Sequence, residues 1–298
     1  LDYDISDTEL NTISSAGTII FGEAGLQSGS INIQTVASPI AAANIEINSD
    51  SAVDSIILDD DGSATALSST SGDITLNAGI GGIRTITSAK GNNAFAELST
   101  TGTITLNAEG IIGSSDNSST IQFVDGQDDV NVFNDSTSNT SLNGLGAFTL
   151  GSITTSGGNF SGIARVDDTT ESSLTIAGNI STNNGHVQLR ATGSVTVSDT
   201  FTVNAGSGTI GLIADDHTYA NVDKSGDVVL LGSAQIISTS AADTTTSPPD
   251  VAINISGNDL QLSAGSTVSA LNGGIWLKTS GKGSMEIGGT GAGADFTV

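Results

Sequence analysis

Gly72-Asp73-Ile74-Thr75-Leu76-Asn77-Ala78 and Gly102-Thr103-Ile104-Thr105-Leu106-Asn107-Ala108 are one short phrase written twice, with a single difference at Asp73 and Thr103. Behind a glycine, apolar Ile, Leu and Ala alternate with Thr and Asn. That period of two is the signature of a strand with one buried face. Shorter versions follow at Ile31-Asn32-Ile33, Ser173-Leu174-Thr175-Ile176, Gly185-His186-Val187-Gln188-Leu189, Gly193-Ser194-Val195-Thr196-Val197, Asp259-Leu260-Gln261-Leu262 and Gly274-Ile275-Trp276-Leu277. No apolar stripe at helical spacing is sustained, and the abundant Ser, Thr, Asn and Gly disfavour helix by propensity. The reading is an all-β chain built on an irregular internal repeat.

Composition narrows the architecture. Of 298 residues 36% are hydrophobic, but only 8 Phe, 2 Tyr, 1 Trp and 1 Met are available, so the core is one of small aliphatics. A sandwich wants longer strands and more aromatic mass, and a propeller keeps a steadier period of about 40 residues. A β-solenoid fits a narrow stack of Ile, Val, Leu and Ala, each coil about 4.8 Å above the last. Coils of roughly 20–30 residues predict on the order of a dozen turns and a rod roughly 60 Å long. The expectation is one β-solenoid segment over residues 1–298. Its ends are open, the strands Leu1-Asp2-Tyr3-Asp4-Ile5 and Asp295-Phe296-Thr297-Val298 carrying no capping helix. Stretches 89–96, 114–120, 125–143, 167–172, 215–224 and 241–250 read as loops leaving the coil, the last because no central strand accepts Pro248-Pro249.

Seven Lys and Arg against 32 Asp and Glu leave a net charge of −25, which excludes electrostatic gripping of nucleic acid. The same charge opposes lateral aggregation of a fold with open strand edges. There is no cysteine, hence no disulfide and no thiolate metal site; this leaves the redox compartment open. No apolar run approaches the ~18–20 residues of a transmembrane helix. With Leu at position 1 and no leader, the chain reads as a processed or excised piece of a secreted protein.

The acidic lead-in Asp4-Ile5-Ser6-Asp7-Thr8-Glu9-Leu10-Asn11-Thr12-Ile13, then Gly17-Thr18-Ile19-Ile20-Phe21-Gly22 and Gly29-Ser30-Ile31-Asn32-Ile33, resembles the repeats of very large bacterial surface proteins. These are the filamentous-haemagglutinin-like and autotransporter-like β-strand-repeat adhesins. The phrases at 72–78 and 102–108 and the glycine-rich 288–298 look like the same class. The resemblance implies a right-handed parallel β-helix, export to the cell surface, and a structural or adhesive role without catalytic residues. The chain departs from the haemagglutinin pattern in lacking a recognisable secretion module.

Several side chains are candidates for chemistry. Calcium takes several carboxylate and carbonyl oxygens, and Asp59 with Asp61, Asp125 with Asp128 and Asp129, and Asp215 with Asp216 are its candidate ligands. None sits in a complete loop motif; the competing reading is solvated turn acids. No other cofactor is called for. Asp167, Asp168, His186 and Arg190 occur in the order used by sugar-cleaving β-helices, but Val187 replaces the second Gly of the usual Gly-His-Gly and few aromatics line a groove. His186 therefore reads as an exposed strand residue beside Gln188. His186 and His217 are the only histidines, and no nucleophile elbow accompanies them.

The functional expectation is a non-enzymatic structural or adhesive segment of an extracellular surface protein, forming a rigid rod or fibre. Its partners are neighbouring copies or flanking repeats stacked end to end, and host or cell-surface glycans. The alternatives are a carbohydrate-binding or carbohydrate-cleaving β-helix near Asp167, Asp168, His186 and Arg190, and a subunit that polymerises head to tail.

Overall fold

The computed structural model describes residues 7–10, 12–27, 29–34, 40, 44–50, 53–59, 65–85, 95–113, 120–166, 170–216, 225–244 and 250–279. It falls into two compact units, Leu1–Leu145 and Gly146–Val298. Both are parallel β-helices, in which short strands stack on their equivalents one coil later.

In the first unit, strands Thr18–Phe21, Asn44–Ser49, Ile74–Ala78, Ile104–Ala108 and Gln127–Asn134 form one parallel ladder. Its register puts Ile19, Ile45, Ile74, Ile104 and Val130 in a single inward column, one residue from each coil. Phe21, Ile47, Leu76, Leu106 and Val132 form the next. The duplicated phrase thus stacks on itself, Ile on Ile and Leu on Leu. Opposite lie two further ladders: Ile31–Gln34, Ser55–Asp59 and Gly82–Thr85 in one, and Leu67–Ser68, Leu98–Ser99, Ile121–Val124 and Thr140–Leu145 in the other. Burying each Ile or Leu between them contributes roughly 1.5–3 kcal/mol, so this thin aliphatic stack carries the unit's stability.

The second unit has three-faced coils. The long strand Phe148–Thr155 pairs through its first half with Leu174–Ile176 and through its second with Ile180–Ser181. From there the two ladders run separately, one through Val195–Val197, Val228–Leu230 and Leu260–Leu262, the other through Thr202–Asn204, Gln235–Ser238 and Thr267–Ala270. The third is Phe160–Ala164, Val187–Ala191, Ile210–Ile213, Ile253–Gly257 and Ile275–Thr279. The column Phe148, Leu174, Val195, Val228, Leu260 advances unevenly along the chain. Its two longest steps, Val195 to Val228 and Val228 to Leu260, contain the insertions expected at 215–224 and 241–250.

An amide ladder runs beside the core of the first unit. Asn107 Nδ2 donates to Asn77 Oδ1 at 2.7 Å and Asn77 Nδ2 donates to Asn48 Oδ1 at 2.8 Å, while Asn48 Nδ2 reaches Glu46 Oε1 at 3.0 Å. Stacked identical amides satisfy one another when strands lie in register. Asn77→Ala removes two of these bonds and strands the donor of half-buried Asn107 and the acceptor of buried Asn48. The expected loss is about 1–3 kcal/mol in urea unfolding; a loss below the error of the method would show that solvent already serves these amides.

Two expectations need correction. Residues 125–143 do not leave the coil as one loop: Gln127–Asn134 and Thr140–Leu145 are strands, and only the short connections 125–126 and 135–139 turn. Val130 and Val132 point inward between Asn131 and the exposed Phe133, an alternation hidden by the surrounding Asp, Asn and Ser. At 241–250 the excursion is partly structured, because Asp243–Thr244 pairs antiparallel with Asp250–Val251; Pro248 and Pro249 lie outside the described residues. The acidic lead-in contains an unanticipated feature. Asp7–Leu10 winds into one helical turn, closed by the Thr12 and Ile13 N–H groups donating to the Glu9 and Leu10 carbonyls. It is the only helical element among the described residues. The expected terminal strands, 1–5 and 295–298, lie outside the described residues. None of the described helices is long and apolar enough to cross a membrane.

Candidate functional site

The insertions of the second unit place chemistry at one corner, where third-ladder strands turn into the first ladder of the next coil. Arg190, on Val187–Ala191, points outward, and its Nε and Nη2 both donate to Asp216 Oδ2 at 2.6 Å. The pair spans successive coils and is partly buried, with side-chain exposures of 32% and 19%. Asp215 beside it is 7% exposed and left-handed at φ 54°, its N–H donating to the Gly193 carbonyl. Ser225 Oγ donates to Glu171 Oε1 at 2.6 Å, which ties the feet of two insertions. Thr192 Oγ1 accepts the Ser172 N–H and donates to the Thr170 carbonyl. This corner is an anchored loop base, with its strongest cation already neutralised by Asp216.

Some of the anticipated residues meet here and others do not. Asp215, Asp216 and Arg190 share the corner; Asp167, Asp168 and His217 lie outside the described residues. His186 is exposed at the opposite end of the strand from Arg190, about 13 Å away along it. It is a coil-to-coil tie: its N–H donates to Asn159 Oδ1, and its Nδ1 accepts the Thr209 N–H at 3.0 Å. Asp59 closes strand Ser55–Asp59, where an oxygen lies 3.5 Å from Gln34 Nε2; Asp61 is outside the described residues. Asp125 is exposed in its turn, and Asp128 and Asp129 are consecutive exposed residues between buried Gln127 and Val130. Asp129, at φ 56°, accepts from Thr103 Oγ1 and Asn131 Nδ2. Among the described residues, no group of three or more His, Asp or Glu is placed to hold a metal ion.

Sequence reasoning missed a recurring device. At the head of strand after strand, a polar side chain accepts the N–H of its counterpart one coil later. Asn44 serves Asp73 and Asp73 serves Thr103 in the first unit; Ser173 serves Ser194 and Ser194 serves Asp227 in the second. Asn179 with Thr202 and Asn184 with Ser207 repeat it at other corners. Short side chains with an acceptor suit this geometry, which gives the Ser, Asn and Asp content a structural purpose. The signal in the sequence is the polar residue just ahead of each alternating run.

Asp199 is a charged version. The Ser233 N–H at 2.7 Å, then the Ser233 hydroxyl, and also the Thr200 N–H hold its carboxyl below the usual range. A depressed carboxyl stabilises the fold above its unfolded pKa of about 4 and loses that contribution as pH falls through the lower folded value. Asp199→Ala is therefore expected to destabilise the chain at pH 7, by a margin that shrinks below about pH 4. A difference in melting temperature that stays constant with pH would contradict this.

No protein family, curated protein sequence or solved structure matches this chain.

Proposed function

We propose that this chain is a non-enzymatic structural and adhesive segment of a secreted cell-surface protein, contributing to a rigid rod or extracellular fibre. The observation that carries the reading is the coil-on-coil register. Side chains of one type stack on the same type through successive coils, and backbone, amide ladder and corner caps all bond along the stacking direction. Such a lattice resists local opening, because each strand inside a ladder is bonded on both edges. The polar, acidic exterior keeps it dispersed.

End-to-end stacking on a neighbouring copy or repeat is part of this proposal, and the same geometry supports it. In the last described coil the inward Leu260, Leu262 and Leu277 are half-buried, whereas Val228, Leu230 and Ile255 one coil earlier are buried. A further coil, whichever chain supplies it, would cover them. The test is localisation in the producing cell. Exposure of the chain to protease added outside intact cells is expected, and confinement to the cytoplasm would overturn the proposal.

A further inference from the structure

Gln188, Gly211, Asn254 and Trp276 form one outward column on four successive coils of the Gly146–Val298 unit. The column spans three inter-coil steps, about 14 Å. Gly211 makes a notch in it, since a Cβ there would meet nothing within 4 Å. On one side of the notch stands the exposed amide of Gln188; on the other is Asn254, whose Oδ1 is buried without a hydrogen-bond partner. Trp276, the only tryptophan in the chain, is half-buried at the end of the column, with the exposed Lys278 ammonium 5.3 Å from its ring centroid. That cation–π contact at an exposed site is weak and exchangeable.

An aromatic ring, an exposed planar amide and an open notch in one line suit a sugar chain. Apolar pyranose faces stack on the indole, and hydroxyls exchange hydrogen bonds with the Gln188 amide. The length of the column exceeds a single sugar ring. A net charge of −25 disfavours a polyanion, and Arg190 in the adjoining column is already paired with Asp216. We infer that this face binds a neutral polysaccharide running across the coils, with Trp276 as its stacking platform and the exposed Gln188 as its hydrogen-bonding group. The inference deepens the surface-adhesive reading and rests on it.

The lone tryptophan makes the test direct. The full chain is titrated with cellohexaose, chitohexaose and mannohexaose while its emission is recorded, with heparin and polygalacturonate as anionic comparisons. A saturable shift with at least one neutral hexasaccharide is expected. By calorimetry, Trp276→Ala and Gly211→Gln should each weaken that sugar at least tenfold; the latter fills the notch where space is open, so its fold should be unchanged by circular dichroism. The inference is overturned if no neutral hexasaccharide binds, if only the polyanions bind, or if Gly211→Gln binds as well as the parent. A surface-exposed chain without sugar binding would sink this inference alone, whereas cytoplasmic confinement would sink the surface reading whatever the titration shows.

Discussion

Phe123→Ala is expected to cost the first unit about 3–5 kcal/mol, a large part of the roughly 5–15 kcal/mol that typically separates folded from unfolded chains. The ring is fully buried in a column that runs through Leu98 and Phe123 to Gly144. Gly144 contributes no side chain, so the ring fills the interior for two coils. The vacated space cannot readily collapse, because strand Ile121–Val124 is bonded in register to strands on both sides. Phe123→Leu should recover most of the loss. Urea unfolding monitored by circular dichroism reads both variants, and a cost below about 1 kcal/mol for the alanine would mean that the coil interior repacks freely.

Gly185→Ala is expected to be nearly as damaging to the second unit, for the opposite reason. Gly158, Gly185 and Gly208 stack at one corner, and a Cβ on Gly185 would land on the Gly158 carbonyl oxygen. A Cβ on Gly208 would meet the Gly185 carbonyl in the same way. The obstructing atoms are backbone, and both carbonyls are already fixed by hydroxyl donors, Thr155 to Gly158 and Thr182 to Gly185. The added methyl must push coils apart, at a cost of about 3 kcal/mol or more, the upper end for overpacking. Gly211→Ala is the matched control, in the open and near neutral in effect. Equal melting temperatures for the two variants would refute the close approach at Gly185.

Much of this architecture is legible in the residues. The copied phrases at 72–78 and 102–108 stack in register, and the alternating runs at 173–176, 193–197 and 259–262 contain strands of one ladder. What is not legible is which residue lies above which elsewhere. The step between coils is short from Leu174 to Val195 and half as long again from Val195 to Val228. Neighbours across coils are therefore set by insertion lengths that no local pattern reports. That is why Asn159, His186 and Thr209 do not read as one column, and why chain order sets Arg190 beside Asp167 and Asp168 when its partner is Asp216. The misreading of 125–143 has another cause: with Asp and Asn on its outward positions, a strand carried by Val130 and Val132 looks like a polar loop.

The reading of a rod-forming surface segment is tested most directly by negative-stain electron microscopy of the purified chain at several concentrations. Elongated particles of constant width are expected, either single or joined end to end. Compact round particles at every concentration would contradict the account.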